Sequence, residues 1–249
     1  MSATTWLGGE RIEVAVCTST NDLALERARA GAPHGTVVIA DAQTAGRGRL
    51  GRTWASPPGR SLYLSAIVRA ALPLARLAPL TLAVGVGACD AVRGEGVTAA
   101  ALKWPNDLVV AGRKLGGILC EGAGDAAVVV GIGVNLNGSS GELPPEVAAR
   151  ATTIADELGR WVERAAFTDR LLAELEPWID RFLAGGVPAI AAPWEARMAA
   201  ELRLRVDRVG PAGQPVTGVA LGLDRDGALR LRDDDGVVHR VHAGEITIV

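Results

Sequence analysis

The pattern of hydrophobic and polar residues predicts that the chain begins with strands around one amphipathic helix. RIEVAVCT (residues 11–18) has the pattern of a strand, and STNDLALERARAG (19–31) has apolar residues at helical spacing before a terminating glycine. TVVIADAQ (36–43) and SLYLSAIV (61–68) predict two further strands. The segment between these two strands is rich in glycine, arginine and proline, which predicts a loop that joins strand to strand.

The middle of the chain predicts further apolar elements separated by turns. Residues 74–93 predict an apolar helix, and VTAAALKW (97–104) predicts a strand that ends at the following proline. LVVAGRKLGGILCEG (108–122) contains two apolar runs joined by Ala-Gly-Arg-Lys, which indicates a β-hairpin. DAAVVVGIGVNLN (125–137) predicts one more buried strand. A sheet of several strands is therefore expected.

Two changes of pattern divide the remaining sequence. From about residue 143 to 200 the chain is predicted to be helical, with amphipathic spacing in FTDRLLAELEPWIDRFL (167–183). Short alternating strands separated by Gly, Pro and Asp follow, which predicts a small β-barrel of SH3-like size. We therefore expect an α+β protein, with a mixed β-sheet flanked by helices in residues 1–200 and the barrel in residues 201–249.

Composition narrows the classes of partner and the cellular location. Lys plus Arg number 26 and Asp plus Glu 28, so the net charge of −2 gives no general reason to expect DNA or a membrane as partner. The longest apolar stretch, residues 77–89, is shorter than the roughly 18 residues that span a bilayer. The N-terminus lacks the pattern of a signal peptide. Three widely spaced cysteines (Cys17, Cys89 and Cys120) are expected to be reduced, so the sequence favours a cytoplasmic protein.

A glycine-rich stretch, GRGRLG (46–51), matches the G-x-G-x-x-G pattern of dinucleotide-binding proteins but lacks the context of that motif. A dinucleotide site needs glycines that open a helix and an acidic residue about 20 positions later for the ribose. Here Ser-Pro-Pro-Gly follows, and no acidic residue occurs between Asp41 and Asp90. The sequence therefore excludes a site for NAD, and the Walker phosphate-binding pattern is absent as well.

The three arginines of this stretch and its flank, Arg47, Arg49 and Arg52, carry more information than the glycines. Guanidinium groups favour planar partners such as phosphate and carboxylate, so an anionic ligand could order the loop. Taken alone, the six residues fit a nucleotide site and a solvated or RNA-contacting basic loop about equally well.

Five motifs in a fixed order resolve this choice. They are CTSTND, QTAGRGRLGRTW, KWPNDL, RKLGGIL and GIGVNLN, and together they cover about residues 12–137. In this order and spacing they resemble the biotin protein ligases, and the segment ending in Gly244-Glu245-Ile246 resembles the SH3-like C-terminal domain of that family. The resemblance implies a catalytic domain of the class II aminoacyl-tRNA synthetase/biotin ligase type.

The resemblance also implies a two-step reaction. Biotin and ATP would give biotinoyl-5′-AMP and pyrophosphate, and the biotinoyl group would then pass to one lysine of a biotin carboxyl carrier protein. Mg²⁺ is implied as well, with ligands that the sequence does not identify. The first step needs cations and alignment and no general base, because a carboxylic acid with a reference pKa of about 4 is already ionised at neutral pH.

The resemblance further implies roles for particular residues. Lys103 and Arg49 are the expected catalytic residues, with Lys103 as a fixed cation near the carboxylate and α-phosphate and Arg49 closing with Arg47 over the acyl adenylate. The expected biotin contacts are Ser19, Thr20, Asn21, Gln43, Arg47, Gly48, Arg49, Lys103, Gly116 and Gly117. The expected ATP contacts are Arg47, Arg49, Arg52, Trp54, Lys103 and Asn135.

Several of these residues also have purely structural interpretations. Ser19 and Asp22 have the spacing of a helix capping box, and Asn135 suits a turn. Lys103 could be a strand-end lysine that reaches solvent, and the two glycines, Gly116 and Gly117, could simply complete the hairpin.

Other functions remain as alternatives. A lipoate protein ligase shares the adenylation chemistry, but its RR-x-SGGG-type motif is missing here. A non-enzymatic nucleic-acid or peptide binder could use the arginines and the barrel, and it would show no ATP turnover. Because only 18 residues precede Ser19, too few for a three-helix DNA-binding unit, we expect no repressor function and no DNA partner. A monomer or a weak homodimer is expected.

Overall fold

The computed structural model describes residues 4–124, 127–138, 148–199, 203–207, 214–242 and 246–248. The larger sheet contains β1 (Arg11–Cys17), β2 (Val37–Gln43), β3 (Ser61–Arg69), β4 (Ala100–Lys103), β5 (Asp107–Val110), β6 (Arg113–Gly124) and β7 (Ala127–Asn135). The helices are α1 (Thr20–Arg29), α2 (Leu74–Leu77), α3 (Leu80–Glu95), α4 (Ile154–Leu158) and α5 (Arg164–Glu195).

The seven strands form a mixed sheet in the order β1-β2-β3-β7-β6-β5-β4. Only β1 and β2 pair in parallel, because α1 carries the chain back between them, whereas every other neighbouring pair in this sheet is antiparallel. The predicted mixed sheet with helical flanks is confirmed. The glycine- and arginine-rich segment lies between β2 and β3, as predicted, and we name residues 44–60 the arginine loop.

The predicted helix over residues 74–93 consists of two helices, α2 and α3, which divide beside Pro79. The segment Leu74–Glu95 is apolar enough to cross a membrane, with a mean hydropathy of 1.4, but 67% of that apolar window is buried. Helix α3 packs between the sheet and α5, and its apolar character is that of a core helix.

The second half of the fold begins with α5, which bends where Gly186 adopts a left-handed φ of 63°. The amphipathic run that the sequence predicted lies in the first part of this helix and buries Phe167, Leu171 and Leu175. Glu176 of the same helix accepts hydrogen bonds from the backbone N–H groups of Thr5, Trp6 and Leu7, which fastens the N-terminal segment to the domain.

A five-stranded antiparallel sheet forms the C-terminal region, in agreement with the predicted short strands. Its strands are β8 (Arg203–Val206), β9 (Val216–Leu223), β10 (Leu229–Asp233), β11 (Val238–Val241) and β12 (Ile246–Ile248), in the order β11-β10-β9-β8-β12. The predicted boundary between residues 200 and 201, and Gly244 and Glu245 of the last motif, lie outside the described residues.

The C-terminal sheet is hydrogen-bonded directly to the larger domain. Trp104 Nε1 donates to the carbonyl oxygen of Gly227 at 3.0 Å, and the backbone N–H of Leu223 donates to Glu195 at 2.8 Å. Apolar residues of both parts belong to one continuous buried cluster. The two parts are therefore packed as a unit, and β12 is brought to the edge of the main cavity.

Candidate active site

A cavity of about 520 Å³ opens on one face of the larger sheet. The arginine loop covers it, the N-terminal end of α1 and strands β6 and β7 line it, and the turn between β4 and β5 closes one side together with Ile246 of β12. Most of the residues implied by the resemblance line this cavity, namely Ser19, Thr20, Asn21, Gln43, Arg47, Gly48, Arg49, Arg52, Trp54, Lys103, Gly117 and Asn135.

One predicted contact residue, Gly116, is not among the lining residues. A Cβ atom at this position would lie 2.8 Å from the carbonyl oxygen of Gly133 on the adjacent strand and 3.0 Å from Leu108. A side chain is therefore excluded here by packing within the sheet, which agrees with the structural interpretation of this glycine.

The start of α1 forms a hydrogen-bonded network at the inner end of the cavity. The backbone N–H of Thr20 donates to Gln43 Oε1 at 2.8 Å, and Ser65 Oγ donates to Asn21 Oδ1 at 2.6 Å. Ser19 begins the helix, but its side chain makes no capping hydrogen bond and is buried beside the cavity. The hydroxyl of Ser19 is therefore better placed for a ligand than for capping.

The ring of Trp54 packs against two glycines of the sheet. A Cβ atom at Gly133 would lie 2.7 Å from Trp54 Cε2, and one at Gly117 would lie 3.3 Å from Trp54 Cζ3, so larger residues at either position would meet the ring. Lys114 Nζ lies 5.4 Å from the centroid of the Trp54 ring. The indole Nε1 is buried and has no hydrogen-bond partner among the described residues, so an acceptor on a ligand would satisfy it.

Asn135 is the last residue of β7, and one polar atom of its side chain is available to a ligand. Its Nδ2 donates to the carbonyl oxygen of Thr152 at 3.1 Å and to that of Lys114 at 3.5 Å. These two bonds use the donors of the amide, and Oδ1 has no partner in the part of the chain that the structure describes. An acceptor at this place suits an exocyclic amine such as that of adenine.

The floor of the cavity holds two lysines around a single carboxylate. Lys103 Nζ lies 3.3 Å from Asp107 and donates to the carbonyl oxygen of Ile246 at 3.2 Å. Lys114 Nζ lies 2.7 Å from the other oxygen of Asp107. The Lys103 side chain is 15% exposed and that of Lys114 is 38% exposed, so Lys114 is the more accessible cation.

Arg49 reaches across the cavity to the turn between β4 and β5. Its Nη1 donates to Asn106 Oδ1 at 3.1 Å, and Asn106 Nδ2 in turn donates to the carbonyl oxygen of Ile118 at 2.9 Å. Burial lowers the pKa of Arg49, while Asp107 raises it and the neighbouring Arg52 lowers it further. The group stays a cation at neutral pH because an arginine pKa begins far above 7.

The arginine loop is attached at its other end by different groups. Asp41 accepts a hydrogen bond from the backbone N–H of Gly59 at 3.2 Å and pairs with Arg164 at 2.6 Å. Tyr63 donates its hydroxyl to the carbonyl oxygen of Pro57 at 3.0 Å, and burial raises the pKa of this tyrosine to about 12. Tyr63 is therefore a neutral donor that holds the end of the loop near β3.

Charge around the cavity favours anionic ligands. The basic lining residues are Arg47, Arg49, Arg52, Lys103, Lys114 and Arg150, and Asp107 is the only acidic one among the lining residues that the structure describes. Residues 4–124, 127–138, 148–199 and the described C-terminal strands contain no cluster of three or more His, Cys, Asp or Glu side chains that could hold a metal ion.

Among the lining residues, Lys114, Arg150 and Tyr63 were not predicted from the sequence to be site residues. Lys114 belongs to the predicted hairpin turn, Arg150 follows a segment without a clear motif, and Tyr63 belongs to a predicted strand. The sequence does contain a signal for Lys114, which is the lysine of the motif RKLGGIL. This motif lies on β6, and β6 pairs with β5, which begins at the last residue of KWPND. Arg150 and Tyr63 depend on packing between distant segments and have no local signal.

The chain is similar to known proteins over nearly its whole length. The family model of the biotin/lipoate A/B protein ligase family matches residues 13–137, and that of the biotin protein ligase C-terminal domain matches residues 208–249. The chain is 38% identical over 246 residues to a biotin--[acetyl-CoA-carboxylase] ligase of Mycobacterium tuberculosis, with 96% of this chain and 89% of the relative covered. It is 31% identical to the bifunctional ligase/repressor BirA of Bacillus spizizenii, with 97% and 75% covered.

A solved structure extends this likeness over the whole fold. Superposition on the biotin protein ligase from Aquifex aeolicus in complex with biotin and ATP gives a TM-score of 0.82 at 28% sequence identity, and covers 97% of this chain and 99% of that one. The mixed sheet with its flanking helices and the C-terminal sheet are thus arranged as in that enzyme. The chain therefore belongs to the biotin/lipoate A/B protein ligase family, among its biotin protein ligases.

Proposed function

We propose that this protein joins biotin to ATP to form biotinoyl-5′-AMP and then transfers the biotinoyl group to a lysine of a biotin carboxyl carrier protein. The observation that carries this proposal is the cavity itself, in which the arginine loop, two lysines and the Trp54 ring face one space. Such a set can hold a carboxylate, a triphosphate and an aromatic base together.

In the first step the chain would act by alignment and charge. A carboxylate oxygen of biotin attacks the α-phosphorus of ATP, the bond to the β-phosphate bridging oxygen breaks, and pyrophosphate leaves. Lys103 and Lys114 lie beside one another through Asp107 and would offset the charge of the two reacting anions. Arg49 would cover the acyl phosphate from the side of the loop, because Asn106 directs its guanidinium across the cavity.

The nucleotide and biotin ends are assigned from the polar and aromatic groups that line the cavity. The Trp54 ring would stack on adenine, and the free Oδ1 of Asn135 would accept from its amino group. Ser19 and the Thr20–Gln43 pair at the opposite end would bond the ureido ring of biotin. Asn21 is already bonded to Ser65, Leu119 and Glu121, so it would act by shaping this end.

In the second step the neutral amine of the carrier lysine attacks the acyl carbon, the bond from carbon to the AMP oxygen breaks, and the amine loses a proton. Asp107 already interacts with two lysines, so a phosphate oxygen of the leaving AMP is the better placed proton acceptor. The remaining role of the chain is to exclude water from the mixed anhydride, which the arginine loop would do.

Magnesium would reach the cavity as part of the substrate. The described residues offer no cluster of ligands, and Asp107, the carboxylate that lines the cavity, is paired with Lys103 and Lys114. The side chains of the described residues therefore do not form a protein metal site. Mg²⁺ would enter on the phosphates of ATP, as it does in many sites for nucleoside triphosphates.

The experiment that tests the proposal compares two acids. Purified protein is incubated with ATP and Mg²⁺ and with either biotin or lipoate, and both pyrophosphate release and labelling of a carrier domain are measured. We expect pyrophosphate and labelled carrier with biotin. Release with lipoate alone would favour the lipoate ligase alternative, and release with neither acid would refute both ligase functions.

Two accompanying expectations belong to the same proposal. A cytoplasmic location is supported by three free cysteines, Cys17, Cys89 and Cys120. The absence of repressor function stays a prediction, which specific binding of the pure protein to a biotin-operon operator at near-physiological salt would overturn.

A further inference from the structure

Two carboxylates that the proposed chemistry does not use hold residues 46–54 of the arginine loop, which we name the arginine end of the loop. Arg47 Nη2 lies 2.6 Å from Asp22 Oδ1 and 2.9 Å from Glu121 Oε2. Asp22 belongs to α1 and Glu121 to β6, so one guanidinium joins two separate elements. We propose that Asp22 and Glu121 are positioning residues that receive Arg47 and thereby hold the arginine loop closed over the bound acyl adenylate. This inference rests on the proposed function.

The orientation of Glu121 is also fixed by a residue outside the arginine loop. Asn21 Nδ2 donates to Glu121 Oε2 at 2.7 Å, and Asn21 Oδ1 accepts from the fully buried Ser65 at 2.6 Å. A Cβ atom at Gly131 would lie 2.1 Å from Asn21 Oδ1, so the amide is packed directly against β7. Since Asn21 cannot shift easily, it keeps the carboxylate of Glu121 aimed at the loop.

The arginine end of the loop behaves as a small hairpin. The backbone N–H of Gly48 donates to the carbonyl oxygen of Arg52 at 2.7 Å, and that of Trp54 donates to Gly46 at 2.9 Å. Residues between these bonds are therefore linked to one another, and fixing Arg47 restrains the neighbouring residues of the hairpin as well. The carboxylate pair thus acts on the adenylate through the loop, without touching it.

The two ends of the loop are held by independent groups. Asp41 and Tyr63 hold the segment at Pro57 and Gly59, and neither residue contacts the carboxylate pair. Loss of Asp22 and Glu121 is therefore expected to loosen the arginine hairpin, which the bond from Arg49 to Asn106 would still hold, while the other end of the loop stays attached to the sheet.

The size of the effect follows from exposure. The side chains of Arg47, Asp22 and Glu121 are 41%, 44% and 26% exposed, so solvent weakens each ion pair. We expect release of biotinoyl-5′-AMP to become about 3-fold faster in Asp22→Asn and about 10-fold faster in Asp22→Asn/Glu121→Gln. Formation of the adenylate in a single turnover should stay within about 2-fold, because no reacting group is removed.

The experiment uses the full chain and two measurements. The first is the rate at which preformed, labelled biotinoyl-5′-AMP leaves the enzyme in a chase with unlabelled intermediate. The second is the rate of tryptic cleavage after Arg49 or Arg52 without any ligand, which reports opening of the hairpin even if the protein does not activate biotin. Asp169→Asn is the matched control, because Asp169 makes a similar exposed ion pair with Arg11 at 2.7 Å, and this pair joins α5 to β1.

Arg47→Met provides the decisive comparison. If the carboxylates act through Arg47, this change should speed release in the wild-type background and add almost nothing in the Asp22→Asn/Glu121→Gln background. The inference would be overturned if release and cleavage in the double variant equal those of Asp169→Asn, or if the effect of Arg47→Met adds in full. Should the double variant melt below the assay temperature, Asp22→Asn alone decides between these results.

Discussion

At the scale of single residues, the two lysines of the cavity are distinguished by their surroundings. Lys103 is nearly buried between Asp107 and the carbonyl oxygen of Ile246, whereas Lys114 is more exposed and lies over the Trp54 ring. The motif KWPND indicates Lys103 alone. The geometry instead shows Lys103 bonded to the C-terminal strand and Lys114 as the lysine with the more exposed side chain.

This difference predicts distinct effects of removing each charge. Lys114→Met should slow adenylate formation by about 10- to 100-fold with little change in melting temperature, since one cation facing the reacting anions is lost. Lys103→Met should slow it as well and also lower stability by about 1 kcal/mol, through loss of the bond to Ile246. Single-turnover pyrophosphate release and thermal melting measure the two effects.

Conservative changes serve as controls for this prediction. Lys114→Arg keeps the charge and should recover part of the rate lost in Lys114→Met. Equal rates in Lys114→Met and the wild type would contradict a role for Lys114 in the first step.

At the scale of elements, strand β7 supports two different parts of the site through glycines on one face. Gly131 leaves room for Asn21, and Gly133 leaves room for the Trp54 ring. A methyl group at either position would meet side-chain atoms at less than 3 Å, so the neighbour would have to move.

Gly133→Ala is therefore predicted to displace Trp54 from the sheet and to raise the KM for ATP by about 10-fold, with a smaller effect on biotin. Gly131→Ala, two positions away on the same strand, is the matched variant, and it should instead weaken retention of the adenylate through Asn21. Initial rates at varied ATP and at varied biotin separate the two. An unchanged KM for ATP in Gly133→Ala would remove Trp54 from the nucleotide site.

The N-terminal segment is a second element whose attachment depends on titratable groups. Burial raises the pKa of Glu176, but hydrogen bonds from Leu7, Thr5 and Trp6 outweigh it, and the pKa is lowered overall. Burial lowers the pKa of His34, against Asp180 and Glu176, which raise it. His34 stacks on Trp6 with ring centroids 3.9 Å apart, so both groups belong to this attachment.

Both shifts have the same consequence for stability. A lowered pKa means that the unfolded chain binds protons more readily than the folded protein. The stability that each group contributes is therefore fully present above its ordinary pKa, which is 6.5 for His34 and 4.5 for Glu176. This stability is lost as the pH falls from the ordinary pKa through the lowered pKa of the folded protein. Melting temperatures between about pH 7.5 and pH 4 should fall less steeply at the acid end in Glu176→Gln than in the wild type. Glu174→Gln, on the same helix, should keep the wild-type slope.

At the scale of the whole molecule, the sequence predicted those features that depend on near neighbours. The order of strands around α1, the hairpin at Ala111 and Gly112 and the loop between β2 and β3 are confirmed, since each follows from periodicity and turn residues. The division of the predicted helix into two has a local signal in Pro79, but the continuous apolar pattern around this proline predicted a single helix. Local patterns thus determine most of the element order.

Contacts between distant segments could not be predicted in this way. Arg47 meets Glu121 across 74 positions, and Trp104 meets Gly227 across 123. Such pairs arise only when the sheet has formed and α1, β6 and the C-terminal strands are adjacent. The ordered motifs indicated which residues share a site, but not that Arg47 is held by carboxylates of the protein.

The composition of the chain limits the number of amines that could react with the acyl adenylate. Its 26 basic residues other than histidine are all arginines except Lys103 and Lys114, and both of these lysines line the cavity. Guanidinium groups stay protonated at neutral pH and are poor nucleophiles, so the outer surface offers almost no group that an acyl adenylate can modify.

We therefore predict that the protein hardly biotinylates itself even when the intermediate escapes. With ATP, Mg²⁺ and biotin but no carrier, mass spectrometry should find label on the N-terminal amine, with Lys103 and Lys114 protected because both ammonium groups are paired with Asp107. Exchanging the exposed Arg225 for lysine should create a labelled site, and Arg225→Gln is its control. Strong labelling of Lys114 in the wild type would contradict the protection that its ion pair with Asp107 should provide.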